Sequence, residues 1–439
     1  MILSTRAFAL LGFTSVLVVL GFARPSIGWI GLGLDGAILA LALVDARLAR
    51  SSAPSVTREL PATVHQGEPV DVTLTLVNRP GRPCRLRLRE TLAPELTDDT
   101  LDFEMSLPPS SKSRQTYRVV PHWRGDASLA RPALRVLGPL SLGWASLPAR
   151  PEPGSVDRTR VFPRIRFEGR TSLVLRQAQE RRVGANPLSS RGISTELYAL
   201  REYLPGDEYR KIHWKQSARR RRPIVRETTW EQHQHLVVML DCGRPMASLA
   251  GELSKLDHAL AAALALMRVA VAQQDSVTLV MFSKEIVKIV RADRRTRSFH
   301  GLFQQVYKQP ADLDEPDYAS VAAWCSRRFP RRSLALVCTS VLDLVGANLL
   351  GDALAGLARR HRPLLVNLED PGLVALERSV PTDARGSFAK VSAMAIVEAN
   401  RALAARLRAR GVDVLTTSAS RLTIGMVQRY LDHKQHGTI

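Results

Sequence analysis

Two long apolar runs, residues 7–22 (AFALLGFTSVLVVLGF) and 28–44, lie within the first 50 residues and constrain this chain more than anything after them. Each is about 16–17 residues long, the short end of what spans a bilayer as a helix. The link between them, Ala23-Arg24-Pro25-Ser26-Ile27, is a short proline-containing reversal, so the runs read as an antiparallel transmembrane hairpin. A cleaved leader competes for the first run, but a second apolar run follows at once and no small-x-small site separates the two. Arg6 precedes the first run, Arg47, Arg50 and Arg58 follow the second, and the link holds only Arg24. That bias places both ends of the hairpin, and everything after residue 46, in the cytoplasm. Asp35 interrupts the second run, where a carboxylate costs about 2.5–3.5 kcal/mol at mid-membrane. It is expected to be neutral or to reach Thr14 or Ser15 across the hairpin.

The remaining length allows two or three domains. Cys84, Cys242, Cys325 and Cys338 are scattered with no C-x-x-C pair, which argues against a disulfide framework or a zinc site and fits a reducing compartment. A formal charge of +21 would ordinarily point to nucleic acid. Only nine of the 62 basic residues are lysine, however, and the arginines are spread along most of the chain, so the excess reads as compositional bias and no specific nucleic acid is expected.

From about residue 51 to 165 apolar and polar residues alternate with period two, as in half-buried strands. Val70–Val77 and Cys84–Arg89 are the clearest, joined through Asn78-Arg-Pro-Gly-Arg-Pro83, and Ser113–Val120 and Ala127–Val136 follow. Many short strands over a hundred residues predict an immunoglobulin-like β-sandwich. From 233 to 439 the pattern changes. Apolar strands at 235–240, 276–282, 334–339, 363–368 and 412–416 alternate with helices near 298–308, 316–328, 346–360, 392–410 and 421–433. Leu256, Leu260, Ala263, Leu264 and Met267 mark one face of a further helix. Buried strands separated by helices predict a doubly wound, mainly parallel sheet. Its ligands would sit at the carboxyl ends of the strands, near Asp241 and Asp343.

Between these regions lies the densest stretch, ELYALREYLPGDEYRKIHWKQSARRRRPIVRETTWE, residues 196–231. Pro205-Gly206 signals a turn. Asp207 suits the N-cap of a short helix over 208–218, Pro223 ends that helix, and Ile224-Val225 opens a strand. Two carboxylates among a row of guanidinium groups read either as an ion-pair knot, Arg201 or Arg226 with Asp207 or Glu227, or as a surface that grips a partner.

This stretch resembles the signature of the bacterial domain of unknown function 58 family, R-E-Y-x-P-G-D-x-x-R-x-I-[DH]-W-x-x-S-A-R followed by V-R-E. The matching residues are Arg201, Glu202, Tyr203, Pro205, Gly206, Asp207, Arg210, Ile212, His213, Trp214, Ser217, Ala218 and Arg219, then Val225, Arg226 and Glu227. Gly138-Pro-Leu-Ser-Leu-Gly-Trp144 and Val161-Phe-Pro-Arg164 resemble two further family elements, with glycine at 138 where aspartate is usual. The resemblance implies a multi-domain chain. Residues 1–50 would be a two-helix transmembrane anchor and 51–165 the β-sandwich. Residues 166–232 would be linker and signature, and 233–439 a von Willebrand factor A-like α/β domain. It also implies a partner, a MoxR-type AAA+ ATPase, in protein assembly or maturation at the membrane.

Metal-binding A domains end their first strand D-x-S-x-S, giving Mg²⁺ a carboxylate and two hydroxyls. Here the segment is Asp241-Cys242-Gly243-Arg244-Pro245. The aspartate is kept and both hydroxyls are gone, so a degenerate ion site without metal is expected, Ser340 and Asp343 being the only further oxygen donors in view. No phosphate loop, dinucleotide fingerprint, H-E-x-x-H or nucleophile elbow is present, and Ser217 follows His213 by one helical turn without a nucleophile cradle. The expected protein is a non-catalytic scaffold or adaptor without a cofactor, whose partners are the bilayer and the ATPase. Its working residues are those of the signature, including Ser217, Arg226 and Glu227, used to bind a partner or to clamp domains. The alternative is a nucleic-acid or anionic-lipid binder that uses Arg219–Arg222 as a phosphate grip.

Overall fold

A computed structural model describes residues 2–79, 82–96, 100–151, 155–164, 196–205, 207, 209–229, 234–296, 298–341 and 343–435. The chain is a mixed α/β protein of more than one domain and divides into two compact units, residues 1–164 and 165–439.

The first unit opens with strand β1 (Ile2–Leu3), helix α1 (Thr5–Leu20) and helix α2 (Pro25–Ser51). Ser4 caps α1, its Oγ accepting from the Ala7 N–H, and Pro25 starts α2 at a position where its missing N–H costs nothing. Among the described residues α2 is the one helix long and apolar enough to cross a membrane; α1, also apolar, is shorter at 16 residues. Large apolar side chains such as Phe13, Phe22, Trp29 and Ile30 point outward from the pair. The Thr14 hydroxyl donates to Asp35, which meets one of the two expectations for that carboxylate.

Eleven further strands follow: β2 (Ser55–Glu59), β3 (Thr63–His65), β4 (Val70–Val77), β5 (Cys84–Thr91), β6 (Thr100–Leu107), β7 (Lys112–Val119), β8 (Gly125–Ser128), β9 (Ala133–Leu137), β10 (Gly143–Pro148), β11 (Arg150–Pro151) and β12 (Arg158–Phe162). The stretch expected as one strand over 127–136 is two, β8 and β9, because Pro132 cannot donate to a ladder. The sheets run β1-β10-β9-β5-β6, β11-β2-β4-β7 and β3-β12-β8. Leu74 and Leu76 from the second sheet meet Leu86, Leu88, Leu134 and Val136 from the first in one buried core, the alternate residues of each strand having turned inward. Arg58 and Glu90, both buried, pair beside it.

Helix α2 does not end at its apolar stretch. Its last turns bury Ala42, Asp45, Ala46 and Ala49 against the β-rich part of the unit. The carboxylate of Asp45 accepts from the N–H groups of Leu140 (2.8 Å), Leu142 (2.8 Å) and Gly143 (3.0 Å), closing the turn between β9 and β10. A Cβ on Gly138 would lie 2.2 Å from the Asp45 carboxyl carbon. Glycine at 138 therefore leaves the space that the Asp45 carboxylate, arriving from α2, occupies.

In the second unit β15 (His235–Asp241) is the central strand. Around it lie α4 (Lys255–Ala272), β16 (Ser276–Phe282), β17 (Ile286–Ala292), α5 (Phe299–Val306), α6 (Tyr318–Arg328) and β18 (Leu334–Thr339), then α7 (Leu344–Ala358), β19 (Arg362–Glu369), α8 (Pro371–Arg378), α9 (Ala384–Ala409), β20 (Asp413–Ser418) and α10 (Leu422–Gln435). Preceding them are β13 (Glu196–Glu202), α3 (Trp214–Arg220) and β14 (Ile224–Thr229). The six-stranded sheet runs β17-β16-β15-β18-β19-β20, parallel throughout except for β17 at one edge. Leu236, Val238 and Leu240 of β15 face α4, α5 and α10, while Val237 and Met239 face α6, α7 and α9. Each such fully buried side chain contributes about 1.5–3 kcal/mol. In this unit the sequence pattern missed β13, β17, α8 and the first two turns of α9.

Candidate functional site

The signature is a two-stranded clasp. β13 and β14 pair antiparallel, with Glu202 opposite Ile224 and Arg201 opposite Val225. Between them the chain makes a turn at 203–207, a single 3₁₀ turn at Tyr209–Lys211 and then α3. Asp207 does not cap a helix, as its position before the basic segment had implied. Its two oxygens accept from both Nη atoms of Arg201, each at 2.7 Å, and Oδ2 also accepts from the Leu204 N–H at 2.9 Å. A bidentate guanidinium competes for the carboxylate more strongly than backbone groups do, and the helix itself starts only at Trp214. His213 is the N-cap, its Nδ1 accepting from the Gln216 N–H. The Ser217 hydroxyl accepts from the Ile224 N–H at 2.8 Å and donates to the His213 carbonyl at 3.0 Å, buckling α3 onto β14.

Ile212, Ile224 and Val225 are buried beneath this arrangement. Arg222 and Glu202 pair at 3.0 Å on the surface, where such a bridge is worth little. The signature residues thus divide. Arg201, Asp207, His213 and Ser217 hold the clasp together, whereas Arg210, Trp214 and Arg219 are exposed. Tyr203 lies 5.8 Å, ring to ring, from exposed Tyr209, and Pro205 is exposed at the turn. Gly206 and the side chains of Arg226 and Glu227 lie outside the described residues.

The second candidate is the carboxyl edge of the six-stranded sheet. Asp241 is fully buried at the end of β15. Its Oδ1 accepts from the Gly243 N–H at 2.7 Å; its Oδ2 accepts from the Thr339 hydroxyl at 2.5 Å and the Tyr318 hydroxyl at 3.2 Å. The residues present do not fit the D-x-S-x-S ion site. A Cβ at 243 would lie 2.7 Å from the Asp314 carbonyl, so a serine has no room, and both carboxylate oxygens already serve internal donors. Ser340 donates to the Leu368 carbonyl, and Asp343 caps α7 through the Gly346 N–H. Arg244 pairs with Glu315 at 2.5 Å. Among the described residues no group of three or more His, Cys, Asp or Glu side chains is placed to hold a metal ion.

Burial pushes the Asp241 carboxyl up to about 6, against the pull of its bonds to Thr339, Gly243 and Tyr318. With the folded value above the ordinary one, the folded chain holds this proton more tightly than the unfolded chain does. Its contribution to stability is full below about pH 4 and is lost as pH rises through about 6. Denaturant unfolding is therefore expected to show on the order of 1 kcal/mol more stability from this group at pH 5 than at pH 7.5. Asp241→Asn should remove that increment; an unchanged pH dependence in the variant would refute it.

Sequence reasoning missed the residue that organises this edge. Lys255, the first residue of α4, is fully buried, its Nζ 3.1 Å from Asp370 Oδ2 and 3.1 Å from Ser340 Oγ. The capping box formed by Ser254 and Asp257 fixes the helix start that aims it inward, and that box was the one available signal. A cleft of about 250 Å³ opens beside it, lined by Ser340, Leu368, Asp370, Asn400, Arg401 and Thr416. Much of its polar lining is engaged within the fold: Arg401 pairs with Glu377, and Asn400 bonds Asn367 and the Val341 carbonyl.

Residues 199–412 match the family described as "Protein of unknown function DUF58", which supports a DUF58 family protein. No curated protein matches the chain. Among solved structures, a CARDB domain from Pyrococcus furiosus is similar in its solution NMR form, at 14% identity over 25% of this chain and 96% of that one, with a TM-score of 0.18. The same domain crystallised in complex with di-metal ions gives 15% identity over 23% and 97%, TM-score 0.17. A cohesin module from a Clostridium perfringens family 33 glycoside hydrolase gives 8% identity over 25% and 97%, TM-score 0.15. TM-scores this low carry no assignment.

Proposed function

We propose that this DUF58 protein is a non-catalytic, membrane-anchored scaffold that presents its α/β domain to a MoxR-type AAA+ ATPase in protein assembly or maturation. In this reading α1 and α2 form a two-pass hairpin in the bacterial cytoplasmic membrane with the domains in the cytoplasm. Gly31 supports the hairpin: a Cβ there would lie 2.8 Å from Val18, the close approach that small residues permit between membrane helices. The β-rich part reads as an immunoglobulin-like sandwich. The six-stranded sheet reads as a von Willebrand factor A-like domain whose ion position is closed by the Thr339 and Tyr318 hydroxyls and the Gly243 N–H on Asp241.

The observation that carries the reading is an apolar ridge on the first half of α9. Phe388 (76% exposed), Val391 (65%) and Met394 (48%) recur at intervals of three along it, with Val380 (86%) just before the helix. An exposed ridge of this kind on a domain with a complete core marks a contact surface. Pull-down from detergent-solubilised membranes, with captured proteins identified by mass spectrometry, tests it. The wild-type chain should recover the ATPase, Phe388→Asp/Val391→Asp should recover at least about tenfold less, and Asp241→Ala should behave as wild type. Equal recovery by the ridge variant would sink the proposal.

A further inference from the structure

We propose that the exposed tip of the signature clasp docks on an anionic phospholipid bilayer. Leu204 (60% exposed), Tyr209 (72%) and Trp214 (67%) stand out from the tip. Around them Arg210, Lys215, Arg219, Arg220, Arg221 and Arg222 are all exposed, and among the described residues only Arg222 of these six has a carboxylate partner. Residues 201–222 hold eight lysines and arginines against three acidic residues. Of those three, Asp207 is taken by Arg201 and Glu202 by Arg222.

The composition fits a lipid headgroup layer better than any other polyanion. Tryptophan and tyrosine place a flat apolar body and a polar handle at the depth where hydrocarbon meets headgroup. Leucine gains from hydrocarbon but not from a phosphate backbone. Clustered arginine and lysine add attraction to anionic headgroups, and stable attachment takes two such signals together. The display is also preformed. Arg201–Asp207 and the Ser217 buckle hold the backbone under the tip, so little freedom is lost on contact. The same chain carries α2, long and apolar enough to cross a membrane, so the tip meets the bilayer at high effective concentration. The contact is separate from the ridge on α9 and does not depend on an ATPase partner.

Trp214 reports the contact. The full-length chain is placed in lipid nanodiscs, and the Trp214→Phe spectrum is subtracted from that of wild type to isolate this one of the six tryptophans. In discs containing phosphatidylglycerol the difference emission is expected to shift to the blue and to fall at least about twofold when the acyl chains are brominated. In pure phosphatidylcholine, or at high salt, it is expected to keep the emission of an exposed indole. Arg219→Gln/Arg220→Gln/Arg221→Gln, which keeps the tryptophan, should lose most of the quenching. Emission that ignores bromine in anionic discs overturns the proposal. So does emission that changes only when nucleic acid is added, and that result would assign the tip to a different polyanion.

Discussion

Replacement of Lys255 by alanine is expected to lower the stability of the α/β domain by about 3 kcal/mol, the lower end of what breaking a buried ion pair costs. The ammonium has no exposure and is held between Asp370 and Ser340, so one side chain ties the start of α4 to the carboxyl ends of β18 and β19. Burying it is tolerable only because both partners are in reach. Asp370, with its side chain 24% exposed, regains some water when the lysine is gone, and Ser340 keeps its bond to Leu368; both hold the loss to the lower end. For a domain of this size the loss corresponds to a fall of about 6–12 °C in Tm. Lys255→Met keeps the packing and removes the charge, so it separates the two contributions. Lys255→Met/Asp370→Asn should recover most of what the single variant loses, because asparagine carries no uncompensated charge and still caps α8 at the Gly372 N–H. If Lys255→Met alone costs less than about 1 kcal/mol, the stitch is not what holds the edge together.

The second large effect is expected at Asp45. Alanine there leaves the N–H groups of Leu140, Leu142 and Gly143 without the carboxylate that accepts from all three. Bonds to a charged acceptor are worth about 1.5–3 kcal/mol each, but three that share one carboxylate are not additive, so a cost of about 3–5 kcal/mol to the first unit is expected. Hydrogen exchange reads this locally. Those three amides should exchange at least about tenfold faster in Asp45→Ala, while amides in the ladder between β4 and β7 keep their protection. Asparagine should be nearly as damaging, since it offers one oxygen and turns an NH₂ toward donors. Unchanged exchange at 140, 142 and 143 would show that the turn closes without α2.

Both residues were invisible to sequence reasoning for the same physical reason. A lysine after Ser254 at a helix start reads as a solvent-facing charge, and an aspartate just beyond an apolar run reads as the end of a membrane segment. Their partners are 85 to 115 positions away for Lys255 and about 95 to 98 for Asp45, too far for any local pattern to show. What was legible was periodic. The buried strands at 235–241, 276–282 and 334–339 and the inward face of α4 follow from hydrophobic spacing, since both faces of the sheet are covered. β17 was not legible because its Lys288 and Arg291 face solvent at an open edge. β13 was not, because Leu-Tyr-Ala-Leu-Arg-Glu is helix-forming in isolation and becomes a strand only by pairing with β14. In the signature the residue types were evident, but their division into an internal clasp and an exposed tip required knowing which carboxylate Arg201 takes.

Helix α2 is long and apolar enough to cross a membrane and is also built into the folded part of its unit. Its 27 residues make a rod of about 40 Å whose far turns are built into the β-rich part through Ala42, Asp45, Ala46 and Ala49, with no loop between. With its apolar length in a bilayer, such a rod is a lever. A thicker or thinner hydrocarbon layer changes the tilt that best matches its length. With no joint to absorb the change, the folded part swings through the same angle, and the lipid composition around the anchor becomes a mechanical input to the domain it carries.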